Sequence, residues 1–318
     1  MKKVLGIATG RRNGNSEILL KVALKACEEA GCEVSFLRLH DYNVKPCTGC
    51  ELCTKLMVKK RLNGGEGEVH CMYPWDADDF MDIVEQVVAA DGIILAAPAY
   101  HLMPPGIETV LLNRIHCVGL GNGSKHGHEE RRVCASIGVG GSDWTSLFMP
   151  IMNFTGSELL GSQMHLVDQM KLHRTPAIGM VLCNQEAMDR AAQLGKNVAF
   201  ELHKTEGPIE YHGEEGVCPV CHNDLVVIRN GRCACAICDY EGDPVIEDGK
   251  IKGIKWDGGI EITRWSPHGV EHHDAEQLAT VKLTKMGYEF TEEQQKMMDE
   301  GRKVWGAYLD PVMPKRNK

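Results

Sequence analysis

Cysteine is the residue type whose number and spacing in this sequence point most directly to chemistry. The chain of 318 residues contains 14 cysteines, most of them in two clusters. The first consists of Cys47, Cys50, Cys53 and Cys71, and the second of Cys218, Cys221, Cys233, Cys235 and Cys238. The first residues, MKKVLGIATG, read as a strand and its loop rather than as a signal peptide. We therefore expect a cytoplasmic protein whose clustered thiols bind metals or carry out redox chemistry.

The motif CTGCELC places the thiols of Cys47, Cys50 and Cys53 on one short loop, in which Gly49 permits a sharp bend. Three thiolates at this spacing can bind one face of a [4Fe–4S] cluster, and the fourth ligand must come from elsewhere. Cys71 is the candidate, beyond the basic insert TKLMVKKRLNGGEGEVH. Two alternatives stay open, namely a tetrahedral zinc site formed by the same residues and a set of thiols that binds no metal.

The second cluster contains CPVC and CAIC, a spacing typical of two metal-binding knuckles. The expected ligands are Cys218, Cys221, Cys235 and Cys238, with Cys233 as the odd member. A ribbon of this size cannot build its own core, so the metal would supply much of its folding free energy. We expect Zn²⁺ in a structural role. Rubredoxin-like iron is the alternative, because tetrahedral thiolate sites accept either metal.

Strand and helix patterns alternate along the first 200 residues. Short apolar runs predict strands at 3–9, 33–39, 92–100, 133–141 and 164–170. Helical spacing of apolar residues predicts helices at 16–30, 76–91, around 144–160 and at 184–202. This alternation predicts an α/β fold with a doubly wound parallel sheet of five strands. Ligands bind such sheets at the carboxyl ends of the strands, where the loops at 9–16, 98–106 and 138–143 would meet.

The segment TGRRNGNS at 9–16 joins the first predicted strand to the first predicted helix. Its backbone N–H groups, together with the positive end of the helix dipole, suit a phosphate monoester. The segment has neither a G-x-G-x-x-G fingerprint nor a G-K-[ST] sequence, so it is not a dinucleotide or Walker loop. A polar turn that merely begins a helix is the alternative interpretation.

The order of these segments resembles that of a known family. The TGRRNGNS loop, then CTGCELC, then ADGIILAAPAY is similar to the NAD(P)H-dependent FMN reductase and iron–sulfur flavoprotein branch of the flavodoxin superfamily, across about residues 1–200. The resemblance implies a flavodoxin-like fold, bound FMN and NAD(P)H as a possible donor. In that family the fourth cysteine follows the third by only a few residues, so the insert before Cys71 is a departure.

The resemblance also implies which residues contact the cofactor. The implied phosphate ligands are Thr9, Arg11, Asn13, Asn15 and Ser16. The residues implied to line the flavin ring and ribityl chain are Pro98, Ala99, Tyr100, His101, Gly138, Val139, Gly140 and Gly141. His101 and His116 flank the ring-binding segment and are candidates for a substrate pocket. No side chain is expected to act as a nucleophile, because the cofactor does the chemistry.

Three regions are expected: a flavodoxin-like FMN-binding domain at 1–205 with the cysteine loop at 47–71, a zinc-ribbon-like module at 206–260, and a helical tail at 261–318. We expect an oxidoreductase that is linked to NAD(P)H or ferredoxin and reduces a small-molecule acceptor. The alternative is a non-enzymatic electron-transfer or redox-sensing protein. The net charge of −9 argues against a nucleic-acid partner, and no apolar run is long enough to span a membrane. The family resemblance implies a homo-oligomer, a dimer or a tetramer.

Overall fold

The computed structural model describes residues 1–74, 76–121, 131–147, 164–258 and 290–308, together with the single positions 149, 152 and 275. The chain forms two compact units, Met1–Val270 and Glu271–Lys318. Most of the predicted helix around 144–160, and the first part of the predicted tail, lie outside the described residues. Residues Asp143–Leu147 form a short 3₁₀ turn.

The first unit contains a parallel sheet of five strands in the order β2-β1-β3-β4-β5. Its strands are β1 (Lys3–Ala8), β2 (Glu33–Arg38), β3 (Gly92–Pro98), β4 (Val133–Val139) and β5 (His165–Leu172). This is the flavodoxin-like order, in which the chain reverses direction across the sheet between β1 and β3. The predicted fold class is confirmed. The central strands β3 and β4 are buried almost throughout, because helices cover both faces of the sheet.

Each face of the sheet carries its own hydrophobic core. Helices α1 (Asn15–Glu29) and the long helix at Gln185–His203 cover one face, and helices Phe80–Ala89 and Gly106–Gly121 cover the other. The first two helices pack so closely that a Cβ atom on Gly195 would lie 2.1 Å from the carbonyl oxygen of Ala23. A glycine at this crossing is therefore a packing requirement.

The helices on the second face differ from the sequence prediction. Helix α2 (Leu52–Leu62) occupies much of the insert between the first three cysteines and Cys71, which the sequence suggested to be a loop. Helix α3 begins at Phe80, four residues later than predicted. Just before it, the carboxylates of Asp78 and Asp79 accept hydrogen bonds from the backbone N–H groups of Lys45 and Asn43. Helix α4 (Gly106–Gly121) was not predicted. Helix α5 (Gln185–His203) was predicted within one residue at each end.

The cysteine-rich segment after α5 forms a second, antiparallel sheet of four strands in the order β6-β7-β8-β9. These strands are β6 (Val226–Arg229), β7 (Arg232–Cys235), β8 (Glu241–Glu247) and β9 (Lys250–Trp256). They are short, and most of their side chains are exposed. The only buried hydrophobic cluster in this ribbon, among the residues that the structure describes, is centred on Cys218, Cys221 and Cys235.

The second unit contains helix α6 (Glu292–Gly306), as the amphipathic pattern of the tail predicts. It begins with a capping box, in which the Thr291 hydroxyl and the Gln294 side chain each accept a hydrogen bond from the other residue's backbone N–H. None of the helices in the described part of the chain combines the length and apolar character needed to cross a lipid bilayer.

Candidate functional site

The carboxyl ends of the parallel strands bring the predicted cofactor segments together at one edge of the sheet. Beyond the strand ends, Ala99 N–H donates to Val139 O at 2.8 Å, and Gly140 N–H donates to Leu172 O at 2.8 Å. The loop after β1 joins the same region, because a Cβ atom on Gly10 would lie 3.2 Å from the Pro98 ring. The segments that resemble phosphate-binding and ring-binding loops are therefore neighbours.

The loop between β1 and α1 is a tight turn that ends at a helix without a side-chain cap. Gly14 is the N-cap residue, and its N–H donates to Arg11 O at 3.0 Å. A Cβ atom on Gly14 would approach the same carbonyl oxygen to 2.9 Å, so glycine is needed for the turn. An uncapped helix start directs backbone N–H groups and the positive end of the dipole toward the strand edge. This arrangement suits an anion such as a phosphate group.

The side chains of this loop separate into two groups. Thr9, Asn15 and Ser16 are buried, whereas Arg11 and Asn13 are exposed. The Asn15 amide donates to Thr175 O at 3.0 Å and to Ala177 O at 2.7 Å, and it accepts from the backbone of Val181. Asn15 thus holds the loop against the segment after β5.

An ion pair anchors the first turn of α1. Glu17 is fully buried and accepts two hydrogen bonds from Arg38, at 2.6 and 2.9 Å, and one from Lys21 at 2.8 Å. Burial alone would raise the pKa of Glu17, but the hydrogen bonds from Arg38 and Lys21 outweigh it and lower the pKa to about 2. The ionised pair fixes α1 beside the end of β2.

The segment implied to bind the ring forms a tight turn. Tyr100 and Met103 exchange two backbone hydrogen bonds of 2.9 and 3.0 Å, and the residues between them, His101 and Leu102, have φ angles of 49° and 64°. Non-glycine residues rarely adopt this left-handed conformation, and strain of this kind is found at functional sites. Tyr100 is 45% exposed. The side chain of His116, on α4, lies outside the described residues.

Glu108, in the first turn of α4, is a residue of this site that the sequence did not reveal. It is fully buried, and its Oε2 atom lies 3.0 Å from the Thr9 hydroxyl. Its Oε1 atom is buried without a hydrogen-bond partner. Burial raises the pKa of Glu108 to about 7, although the Thr9 hydrogen bond lowers it somewhat. An acidic residue in a first helical turn is ordinary in sequence, so no local pattern marks it.

The structure brings Cys71 beside the CTGCELC loop. The Thr48 hydroxyl lies 3.0 Å from the Met72 sulfur, and the Tyr73 hydroxyl donates to Pro46 O at 3.3 Å. Cys47 and Cys50 are exposed, and Cys53 and Cys71 are half-buried. Gly49 bends the loop with a φ of 67°, as predicted. The two segments that carry the four cysteines are therefore in contact with each other.

An ion pair fixes the base of this cysteine loop. Arg114 of α4 binds Asp78, donates to Lys45 O at 3.0 Å and lies 4.0 Å from the Phe80 ring centroid. Burial would raise the pKa of Asp78, but the hydrogen bond from Arg114 overcomes it and lowers the pKa. The sequence did not single out this pair, because its members are 36 positions apart.

The second cluster forms a compact four-sulfur site. The Sγ atoms of Cys218, Cys221, Cys235 and Cys238 all lie within 4.8 Å of one another, and two of the pairs are 3.5 Å apart. Tetrahedral Zn–S bonds of about 2.3 Å require sulfur separations of about 3.8 Å. The predicted ligand set therefore fits a single tetrahedral metal ion. Cys233 is buried on β7 but does not belong to this group.

The first cluster has a different geometry. Among the described residues, its four cysteines do not form a group with all sulfurs within 4.8 Å. A single zinc ion would need such a group, whereas the larger [4Fe–4S] cube holds its four cysteine sulfurs farther apart. The spacing therefore does not match a preformed mononuclear site.

A third group that could hold a metal by distance alone consists of Glu201, Glu210 and His212. Glu201 is fully buried, but it is already paired with Arg131 at 3.1 Å and with His212 at 2.8 Å. Arg131 forms an ion pair with the carboxylate and His212 lies within hydrogen-bond distance of it, so the group acts as a structural network that joins α5 to the segment after it.

The ribbon docks onto β5 of the parallel sheet. Gln169 donates to the Tyr211 hydroxyl at 2.9 Å and to the backbone carbonyl of His222, whose ring stacks on Tyr211 with centroids 3.9 Å apart. Lys171 binds Asp224 and, at 3.1 Å, Glu214. The segment that carries Cys218 and Cys221 is thus bound to β5, whose carboxyl end lies at the same edge of the sheet as the predicted cofactor segments.

Comparison with known proteins agrees with this geometry. Residues 2–149 match the model of a family described as NADPH-dependent FMN reductase. A flavone synthase of Aspergillus candidus is 27% identical over 294 residues, which cover 85% of this chain and 87% of that protein. A solved structure of a flavone reductase, 21% identical, superposes with a TM-score of 0.70 and covers 98% of this chain and 100% of its own, which shows a shared fold.

Iron–sulfur flavoproteins match a shorter segment. One from Methanocaldococcus jannaschii is 35% identical over 99 residues, which cover 31% of this chain and 44% of that protein. The chain thus spans less than half the length of this relative.

The flavodoxin-like sheet, its phosphate-type loop and these matches define the class: the chain is a flavin-dependent oxidoreductase. Within that class, residues 2–149 match the NADPH-dependent FMN reductase family model. The resemblance seen in the sequence is confirmed.

Proposed function

We propose that this protein binds FMN at the edge formed by β1, β3 and β4, accepts electrons from NAD(P)H or a ferredoxin-like donor, and reduces a flat aromatic acceptor of the flavone class. The observation that carries the proposal is the tight turn from Gly10 to Gly14, which leads into an uncapped helix beside the switch in strand order. Bound FMN supplies the two-electron chemistry.

The residues present fit the cofactor phosphate. The uncapped backbone N–H groups at the start of α1 suit a phosphate, and Arg11 is exposed next to them without an ion-pair partner in the described part of the chain. The side chains of Thr9, Asn15 and Ser16 are buried, so they hold the loop in place from its buried side. We propose that Arg11, Asn13 and the loop backbone contact the phosphate.

A flat acceptor is supported by the surface around the strand ends. Tyr100, Met103 and Trp144 follow β3 and β4 and are 45%, 58% and 77% exposed. Exposed aromatic rings at such an edge can stack on a planar ligand. The acceptor class also rests on the flavone synthase relative, whose match extends over most of the chain, including the ribbon.

The test is an anaerobic assay of the purified chain loaded with FMN. We expect saturable oxidation of NADH or NADPH that depends on an added flavone, with product identified by mass spectrometry. Arg11→Ala should weaken FMN binding about tenfold by loss of one charge-assisted contact, whereas Arg229→Ala, on the ribbon, should not. A protein that takes up no FMN from excess nucleotide contradicts the proposal.

We also propose that Cys47, Cys50, Cys53 and Cys71 hold a [4Fe–4S] cluster, with zinc or no metal as the alternatives. The contact between the 46–49 and 71–73 segments supports a shared site. Anaerobic reconstitution with iron and sulfide should yield about four of each per chain, and Cys50→Ser should abolish this. Cys183→Ser, which removes an exposed cysteine outside both clusters, is the control. Two zinc ions per chain without sulfide, one more than the ribbon accounts for, would show the mononuclear alternative.

A non-enzymatic electron carrier is the second candidate function. The exposure of Cys47 and Cys50 favours it, because a cluster there would lie within reach of a protein partner. A carrier should exchange electrons only with a reduced protein donor such as ferredoxin. Turnover of NAD(P)H with a small acceptor alone would exclude this function.

The remaining proposals concern the ribbon and assembly. We propose that the second cluster holds a structural Zn²⁺ ion. We also propose three regions, at 1–205, 206–260 and 261–318. The assembly proposed is a homo-oligomer in the cytoplasm. Metal analysis separates zinc from iron. Light scattering of the FMN-loaded protein tests whether it is a dimer or tetramer, and a monomeric mass contradicts the assembly.

A further inference from the structure

Glu108 contacts Thr9, the residue directly before the Gly10–Gly14 turn proposed to hold the FMN phosphate. Its carboxyl group reaches from the first turn of α4 to the Thr9 hydroxyl, at the end of β1, which itself lies 3.4 Å from Ala96 O of β3. The carboxyl group therefore sits between the two strands where the order of the sheet switches. Gly10, the next residue after Thr9, begins the proposed phosphate loop.

The surroundings of Glu108 contain no compensating cation. Among the described residues, no lysine, arginine or histidine forms an ion pair with it, and its Oε1 atom is buried without a partner. Arg114, on the same helix, is committed to Asp78, and Glu17 is neutralised by Arg38. Burial without a counterion favours the neutral acid, which is consistent with the pKa of about 7.

The loops that follow β1 and β3 carry further titratable or charged groups, namely Arg11 and Arg12 in the first and Tyr100 and His101 in the second. All four residues are present in both proteins when Glu108 is replaced by glutamine. A comparison of Glu108 with glutamine therefore isolates the contribution of this carboxyl group.

We propose that Glu108 is a proton-carrying residue of the FMN phosphate site. In the empty protein its carboxyl group is neutral or ionised according to the pH, and when the phosphate is bound it is neutral. FMN binding therefore takes up a proton wherever Glu108 is ionised in the empty protein. The proposal rests on the FMN site proposed above. A phosphate dianion held by this loop would repel an ionised carboxylate next to Thr9 and so favour the protonated acid. The proton comes from solvent and is bound by the Glu108 carboxylate, with no change in oxidation state.

The pH dependence follows from linkage. Above pH 7 the phosphate is already a dianion, because its second pKa is about 6. Between pH 7 and 8.5, the FMN dissociation constant should rise toward a limiting slope of about tenfold per pH unit as Glu108 ionises in the empty protein. Riboflavin lacks the phosphate, so its binding should not show this dependence.

The experiment measures binding of FMN and riboflavin by flavin fluorescence and calorimetry at pH 7, 7.75 and 8.5, in two buffers with different ionisation heats. We expect proton uptake for FMN and not for riboflavin with the wild-type chain. Glu108→Gln, of nearly the same shape, should bind FMN with no such uptake and with a nearly constant dissociation constant. Glu29→Gln, at the opposite end of α1, makes the same charge change and should behave as wild type.

Thr9→Val provides a second variant. The Thr9 hydroxyl favours the ionised form of Glu108, so its removal should move the weakening of FMN binding to higher pH. FMN binding with the same pH dependence in wild type and Glu108→Gln overturns this inference and leaves the proposed function standing. Absence of FMN binding by the wild type overturns both.

Discussion

Two buried acids near the same end of the sheet differ in charge state because only one has cationic partners. Glu17 accepts hydrogen bonds from Arg38 and Lys21 and stays ionised. Glu108 has only the Thr9 hydroxyl among described partners, and its pKa is raised. At the scale of single residues, then, the partners of a buried acid decide whether it stabilises the fold or carries a proton.

Glu108 should make the stability of the FMN-free protein depend on pH. Its pKa rises from 4.5 to about 7 on folding, so its favourable contribution is complete below pH 4.5 and is lost as pH rises through 7. At about 1.36 kcal/mol per pKa unit, the loss is about 3 kcal/mol. The free energy of unfolding of Glu108→Gln, relative to that of wild type, should therefore increase by about 3 kcal/mol from pH 4.5 to pH 8. Urea unfolding at the two pH values measures this difference. An equal difference between the two proteins at both pH values would contradict this.

At the scale of elements, close contacts position the site more than local sequence preference does. Helices α1 and α5 meet at Gly195, and the Sγ atom of Cys27 lies 3.1 Å from the carbonyl oxygen of Gly195. The start of α1 is held by Asn15 and Glu17, and the cysteine loop by Arg114 of α4. Each anchor joins elements that are far apart in sequence.

Gly195→Ala tests the crossing of α1 and α5. The added methyl group would lie 2.1 Å from Ala23 O, so the helices must separate, at a cost of about 3 kcal/mol in free energy of unfolding. Gly301→Ala in α6 is the matched control, since nothing lies within 4 Å of the added atom. That change should leave the unfolding of the first unit unaltered. Equal stability of Gly195→Ala and wild type in denaturant titration would show that the helices can shift freely.

At the scale of the whole molecule, the ribbon and the parallel sheet share contacts within the first unit. Gln169 and Lys171 of β5 bind the knuckle that carries Cys218 and Cys221. A chain of backbone hydrogen bonds continues from the end of β5 through Gly140 to Thr175. The ribbon is therefore anchored to the edge strand β5 by side-chain contacts, while its own strands form a separate sheet.

Removal of the metal ion proposed for the ribbon should unfold the ribbon, because its buried cluster consists of the proposed ligands themselves. We expect Cys221→Ser, or treatment with a strong chelator, to remove the metal and to expose the 218–256 segment to limited proteolysis. Cys233→Ser removes a buried cysteine outside the four-sulfur group and should retain one metal ion in the ribbon. Protease resistance of the metal-free ribbon would refute this account.

The sequence by itself determined the five parallel strands, the loop at 9–16 between the first strand and the first helix, and which four cysteines of the second cluster come together. These features depend on hydrophobic periodicity and on spacings of a few residues, which near neighbours encode. Only the tertiary structure revealed Glu108 beneath Thr9, Asp78 with Arg114, and Gln169 against the ribbon, at separations of 99, 36 and 53 positions. Contacts over such distances depend on the order of strands in the sheet, which no local pattern specifies.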